Sequence, residues 1–158
     1  MRIGIDARFF GAKDKGLGRY TENLIKNLEV LDNHNQYFIF LKKERLEDYV
    51  PQNQNFKKIL FHQLRQNNLD LMHFTYFKVP FFYQGRFIVT IHDLITSHVG
   101  IFKKIIYKLI TRRAIKKSEK IIAVSEYTKQ EILKYYHRSS GAGRIKSDKI
   151  KVIHEGVM

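Results

Sequence analysis

Apolar residues recur along this chain in two rhythms. The first is a series of short, nearly unbroken runs: "RIGIDA" (2–7), "YFIFL" (37–41), "KKILF" (57–61), "DLMHFT" (70–75), "RFIVTIHD" (86–93), "KIIAVS" (120–125) and "KIKVIHEG" (149–156). Rich in β-branched and aromatic residues, they predict strands. The second rhythm is helical. "GRYTENLIKNLEVL" (18–31) sets Tyr20, Leu24, Ile25, Leu28 and Leu31 on one predicted face. A long helix is predicted over about 101–117, and a third over "EYTKQEILKYY" (126–136).

Strands that are apolar throughout, alternating with helices, imply a parallel sheet covered on both faces. The predicted fold is therefore a doubly wound, Rossmann-like α/β domain. Ligands of such sheets bind outside the carboxyl ends of the strands. Those ends read Asp6-Ala7-Arg8, His73-Phe74-Thr75, His92-Asp93, Ser125-Glu126 and His154-Glu155-Gly156. Ionisable residues gather there and are nearly missing from the strand bodies. No internal repeat is present. "HRSSGAGRIKSD" (137–148) is a low-complexity basic loop, and a chain that stops just after a last strand is expected to be cut from a longer one.

Composition narrows the chemistry. At 158 residues and 44% apolar content, one domain can bury a core. The absence of cysteine excludes disulfides, thiol nucleophiles and thiolate metal sites. The formal charge of +14 favours an anionic partner without naming it. Asp6 interrupts the first apolar run, so no signal peptide is expected. No run approaches a membrane span, and the expected location is cytoplasmic.

Three features carry candidate chemistry. Between the first strand and the first helix lie Gly11, Gly16 and Gly18 with Lys13, Lys15 and Arg19. The sequence matches neither a Walker A loop nor a dinucleotide fingerprint. Glycines admit close backbone approach, and a helix start offers free N–H groups to an anion. The alternative is a glycine-rich turn with no ligand, although about ten residues exceeds the usual βα loop. Second, His92 and Asp93 end a buried strand on the binding edge, where a histidine can donate to a hydroxyl or phosphate. The bland alternative is a histidine that satisfies a loop backbone. Ser125 is explained by N-capping alone, with an anion site assisted by Lys129 as the rival reading.

The third feature is "FKKIIYKLITRRAIKKSEK" (102–120), in which Ile101, Phe102, Ile105, Ile106, Leu109 and Ile110 are expected to form an apolar face packed on the sheet. Lys103, Lys104, Lys108, Arg112, Arg113, Lys116, Lys117 and Lys120 crowd elsewhere. Such a basic face suits an anionic membrane surface, or is simply solvated. No DxD, HExxH or GxSxG pattern occurs, and no metal is expected. Aromatics cluster in strands, which gives a nucleic-acid platform little support, so no nucleic acid is expected.

In this order, "MRIGIDAR…GLGRYTENLIKNL", "LMHFTYFKVP", "VTIHDLI", "KIIAVSEYTKQEI" and "KIKVIHEG" resemble the amino-terminal half of family 4 glycosyltransferases of the GT-B fold. The likeness is closest to bacterial mannosyltransferase-like members that build surface polysaccharide. It implies an enzyme of two Rossmann-like domains, of which 1–158 is the acceptor-side domain and a donor-binding domain follows. It implies retaining transfer without a metal or resident cofactor, from a nucleotide-sugar to a lipid-linked or polysaccharide acceptor. By the same resemblance Gly16, Leu17, Gly18 and Arg19 lie against the donor phosphates, and His92, with Asp93 beside it, meets the donor sugar. Phe74, Thr75 and Tyr76 line the acceptor side, and Ser125, Glu126 and Lys129 fall in a motif with a less defined role. Lys103, Lys104, Arg112, Arg113, Lys116 and Lys117 are the candidate membrane contacts at the inner face.

The departures are Glu155 before Gly156, where the family has Asn, Met158 where Asp is common, and a longer basic loop. The isolated chain is expected to be inactive. The alternatives are a half-enzyme completed by a separate donor-domain chain, and a non-catalytic binding module.

Overall fold

The computed structural model describes residues 1–94, 101–137 and 145–154, with the backbone alone at 101, 103 and 135–137. The elements follow the order that the hydrophobic rhythm predicts, with no α-helix between β2 and β5: β1 (Arg2–Asp6), α1 (Lys15–Leu31), β2 (Gln36–Leu41), β3 (Phe56–Leu60), β4 (Leu71–Phe74), β5 (Phe87–Ile91), α2 (Ile101–Lys117), β6 (Lys120–Ala123), α3 (Glu126–His137) and β7 (Ile150–Val152). Short 3-10 turns at Ala12–Asp14, Lys43–Arg45, Phe61–Gln66 and Ser147–Lys149 fill the connections. The last predicted strand stops at Val152, and its final residues, Glu155 and Gly156, lie outside the described residues together with Met158. Most of the basic loop, 138–144, does so as well.

The chain forms two compact units. The first is Met1–Thr75 with Tyr83–Arg86, and the second is Tyr76–Phe82 with Phe87–Met158. Strand order is β3-β2-β1-β4 in the first and β5-β6-β7 in the second. Every described pairing is parallel. In the first unit Ile5 lies opposite Ile39 on one side and His73 on the other. The chain winds from β1 out to β3 and returns to β4 on the far side of β1. That reversal is the topological switch point of a doubly wound fold, and the fold is the Rossmann-like α/β class that the sequence predicts.

The first core is built from Ile5, Ala7, Phe10, Ile25, Tyr37, Ile39, Leu41, Tyr49 and Phe56, with Leu24 and Leu28 packed against it. Burying a side chain such as Ile25 contributes about 2 kcal/mol. The predicted α1 face needs one correction: Leu31 is 78% exposed. The buried stripe is Gly18, Thr21, Ile25 and Glu29. Glu29 is held inside because Tyr49 Oη and the Gln52 amide donate to its carboxylate at 2.8 and 2.9 Å. A stripe that admits a paired carboxylate turns away from Leu31.

The second unit buries Val89, Ile91, Ile121, Ala123, Ile132 and Ile150. From α2 it buries Thr111, Ala114, Ile115 and, just beyond the helix, Ser118. Glu119 N donates to Phe87 O at 2.8 Å, so α2 ends beside the start of β5 and runs antiparallel to it.

Candidate functional site

The switch point in the first unit is occupied by an ion pair. Asp6 is fully buried at the end of β1. A buried carboxylate needs a partner, and Arg8 folds back to supply it: Nε donates to Oδ1 at 2.9 Å and Nη2 to Oδ2 at 2.7 Å. The Arg8 guanidinium lies 4.1 Å from the centroid of the Phe61 ring. Thr75 Oγ1, just past β4, donates to Asp6 O at 2.7 Å and ties the two strand ends together. Sequence reading noted Asp6 and Arg8 at a strand end but did not pair them. Their i, i+2 spacing after a strand was the available signal.

The glycine segment is not the open ten-residue loop expected. A 3-10 turn, Ala12–Asp14, leads directly into α1 at Lys15, so Gly16, Leu17, Gly18 and Arg19 belong to the first turns of the helix. Gly11 sits at φ +90°, where a side chain is disfavoured. A Cβ at Gly18 would lie 1.9 Å from Gly11 O. Gly18 is therefore explained by packing, and its amide faces no ligand requirement.

Gly16 differs. A Cβ there would meet nothing within 4 Å, and the residue is exposed. The Asp14 amide donates to Gly11 O at 3.2 Å and that of Lys15 to Ala12 O. The amides of Gly16 and Leu17 are then the helix-start donors outside the turn. Lys13, Lys15 and Arg19 are exposed around them. Positive side chains and a helix start together favour an anion. The turn is braced by Arg45, a buried residue that sequence reading missed, whose guanidinium bonds both Asp14 and Asp48.

In the second unit, His92 and Asp93 emerge directly after β5, half-buried and exposed respectively. Thr128 Oγ1 donates to His92 O at 3.1 Å, which fixes the backbone there. Ser125 caps α3: its Oγ accepts from Thr128 N at 3.1 Å. Capping accounts for Ser125. Glu126 is exposed and pairs loosely with Lys129 at 3.7 Å.

Phe74 and Thr75 are fully buried. Of the three residues expected to line an acceptor, only the half-buried Tyr76 offers surface. Tyr76 packs on Phe77 at a centroid distance of 4.1 Å, and Phe77 meets Tyr107 edge-on at 5.9 Å. Lys78 Nζ lies 5.2 Å from the Tyr107 ring and 5.9 Å from that of Tyr76. Burial, then the charge of Asp93 and the neighbouring Tyr107, push the Tyr76 phenol up to about 12. The hydroxyl therefore keeps its proton at neutral pH beside an exposed carboxylate. Rings with hydroxyl, carboxylate and ammonium groups at their edges suit the mixed apolar and polar faces of a sugar. Lys78 and Tyr107 were not singled out from sequence, because an isolated Lys and one aromatic within a helix carry no motif.

The expected core face of α2 is a correction. Phe102, Ile105, Ile106 and Leu109 are 84%, 52%, 53% and 57% exposed. The sheet-facing residues are the smaller Thr111 and Ala114, with Ile115. Arg113 is not a free base: its Nη atoms donate to Pro80 O and Phe81 O at 3.3 and 2.8 Å. Lys116 and Lys117 are exposed, and Lys104 and Arg112 half-buried, while the side chains of Ile101 and Lys103 lie outside the described residues. Among the described residues no group of three or more His, Asp or Glu could hold a metal, and no helix is long and apolar enough to cross a membrane.

The first unit offers an anion-ready helix start and the second a sugar-suited aromatic group, each a feature that sugar transfer can use. The sequence model described as Glycosyltransferase Family 4 matches residues 14–158, and the chain belongs to that family. Its role is therefore in glycosyl transfer, which takes a nucleotide-sugar donor and a glycan acceptor. No curated protein matches the chain.

Proposed function

We propose that this chain is the amino-terminal, acceptor-side domain of a retaining, metal-independent glycosyltransferase. It passes a sugar, mannose by the resemblance, to a lipid-linked or polysaccharide acceptor, and it is completed by a donor-binding domain. The observation that carries this reading is Gly16. No packing contact or positive φ explains a glycine there, whereas a diphosphate lying on the Gly16 and Leu17 amides does. As the bond from the anomeric carbon to the diphosphate breaks, negative charge grows on the leaving oxygen. Amides already aimed at it, with Lys13, Lys15 and Arg19 nearby, stabilise that charge. By the resemblance His92 and Asp93 hold sugar hydroxyls, and within the second unit the rings of Tyr76 and Tyr107 suit the faces of an acceptor sugar. By the resemblance, a second domain supplies the groups on the donor side, and residues 1–158 by themselves turn over poorly, because transition-state binding needs both sides.

The test is a titration of the isotopically labelled chain with pyrophosphate, followed by backbone amide resonances. The amides of Gly16 and Leu17 should move first, and Gly16→Val should abolish the effect. Shifts confined to other regions would overturn the donor assignment. Repeated turnover by the purified chain with a nucleotide-sugar and a glycan acceptor would overturn its dependence on a second domain.

A further inference from the structure

The register of the first unit sets three side chains in a row. Asp6 lies opposite Phe40, and Leu41 opposite Leu60. Carried just past the strands, the same register aligns Arg8, Lys42 and Phe61 at the carboxyl ends of β1, β2 and β3. Side-chain contacts close the row. The Arg8 guanidinium lies 4.1 Å from the centroid of the Phe61 ring and 6.0 Å from that of Phe9, and Lys42 Nζ lies 5.3 Å from the Phe9 centroid. Both rings and Lys42 are half-buried. All four residues belong to the first unit, and neither the glycine segment nor the Tyr76 group includes them.

The two cations differ in what they can offer a ligand. Asp6 accepts from Arg8 Nε and Nη2, so the charge of Arg8 is balanced and its plane serves to hold the rings. Lys42 has no acid partner among the described residues. The row therefore presents two aromatic rings with one uncompensated ammonium beside them, on the edge of the sheet where ligands of this fold bind. Aromatic faces suit the C–H face of a sugar ring, and one ammonium matches one negative charge. We infer that this row binds a uronic acid unit of a glycan, with the sugar ring against Phe9 and Phe61 and its carboxylate on Lys42. A phosphate monoester carries about −1.5 to −2 at neutral pH, more than one ammonium balances. The inference rests on the sugar-transfer reading and deepens it by naming an acidic saccharide as the glycan handled.

The experiment is a titration of the isotopically labelled 158-residue chain with cellobiouronic acid and, in parallel, with neutral cellobiose. The acid should move the resonances of Phe9, Lys42 and Phe61, with an affinity at least about threefold above that of cellobiose, as one partly exposed ion pair provides. Lys42→Gln should bring the two affinities together, and Phe61→Leu should weaken both. No response at Phe9, Lys42 and Phe61, or equal affinity of the native chain for the two disaccharides, would overturn the inference. Tighter binding of glucose 6-phosphate than of the uronic acid at these residues would overturn the carboxylate assignment. Pyrophosphate forms a separate arm. Its failure to move Gly16 and Leu17, with the preference for acid intact, would overturn the donor assignment alone, and the converse would overturn the uronic acid site alone.

Discussion

Gly18 in α1 and Gly11 in the preceding turn touch backbone to backbone: a Cβ on Gly18 would stand 1.9 Å from the Gly11 carbonyl oxygen. Nothing but hydrogen fits between them. Gly18→Ala must therefore push the helix from the turn, and a loss of about 3 kcal/mol is expected, read as a fall in thermal midpoint. Gly16→Ala is the contrast. It meets open space and should stabilise the helix by up to about 1 kcal/mol, while weakening pyrophosphate binding. Equal effects of the two substitutions on stability would refute the distinction drawn between a packing glycine and a ligand glycine.

Arg45 supports the same turn from outside. Removing a buried guanidinium leaves two carboxylates without their partner. Because Asp14 and Asp48 both reach solvent, the expected cost of Arg45→Met is about 2 kcal/mol, less than for a fully buried pair. Amide hydrogen exchange should quicken most over residues 11–18. Unchanged protection there would mean that the turn holds itself.

Four described tyrosines, Tyr37, Tyr49, Tyr76 and Tyr83, have phenols raised above the ordinary value of 10.0, in each case with burial as the largest cause. A raised phenol means that the folded state binds the proton more tightly than the unfolded one. The resulting stability is complete below pH 10 and is lost as pH climbs; for Tyr76 the loss runs to about 12. An alkaline titration followed by tyrosinate absorbance should show a late-ionising group, and Tyr76→Phe should remove one member of it. Asp93→Asn should bring Tyr76 back toward its usual range. No response to either change would place Tyr76 away from Asp93 in solution.

Ser125→Ala removes the hydroxyl that caps α3, and about 1 kcal/mol of stability should go with it. Glycine at the same position should lose only a few tenths. If Ser125 also bound a ligand anion, both variants would lose pyrophosphate affinity. The capping account predicts that neither does.

The sheet was legible because parallel strands buried on both faces are apolar throughout, and no other element in a chain of this size is. Tyr37 through Leu41 are all buried, as a run without alternation requires. The errors lie where apolar spacing was taken to mean burial. On α1 the buried row passes through Glu29, whose partners Tyr49 and Gln52 come from a distant loop, so Leu31 was misplaced. On α2 the row of large apolar residues faces out, and the sheet is met by Thr111, Ala114 and Ile115. Spacing fixes that four residues share a face but not which way the face turns. At the site, the strand ends were found from charge alone. The Asp6–Arg8 pair, the Arg45 brace and the aromatic group around Tyr107 join residues that sequence order separates or leaves without a motif.

Along α2 the exposed residues run from the apolar Phe102, Ile105, Ile106 and Leu109 to the basic Lys116 and Lys117, which makes the helix a vector. A plane that satisfies its apolar start and its cationic end admits one heading and rejects the reverse. Because α2 runs antiparallel to β5, with the Glu119 amide on Phe87 O just past the helix end, that heading is also a heading for β5. The apolar start of α2 therefore lies toward the end of β5 that delivers His92 and Asp93, and its cationic end toward the strand's beginning.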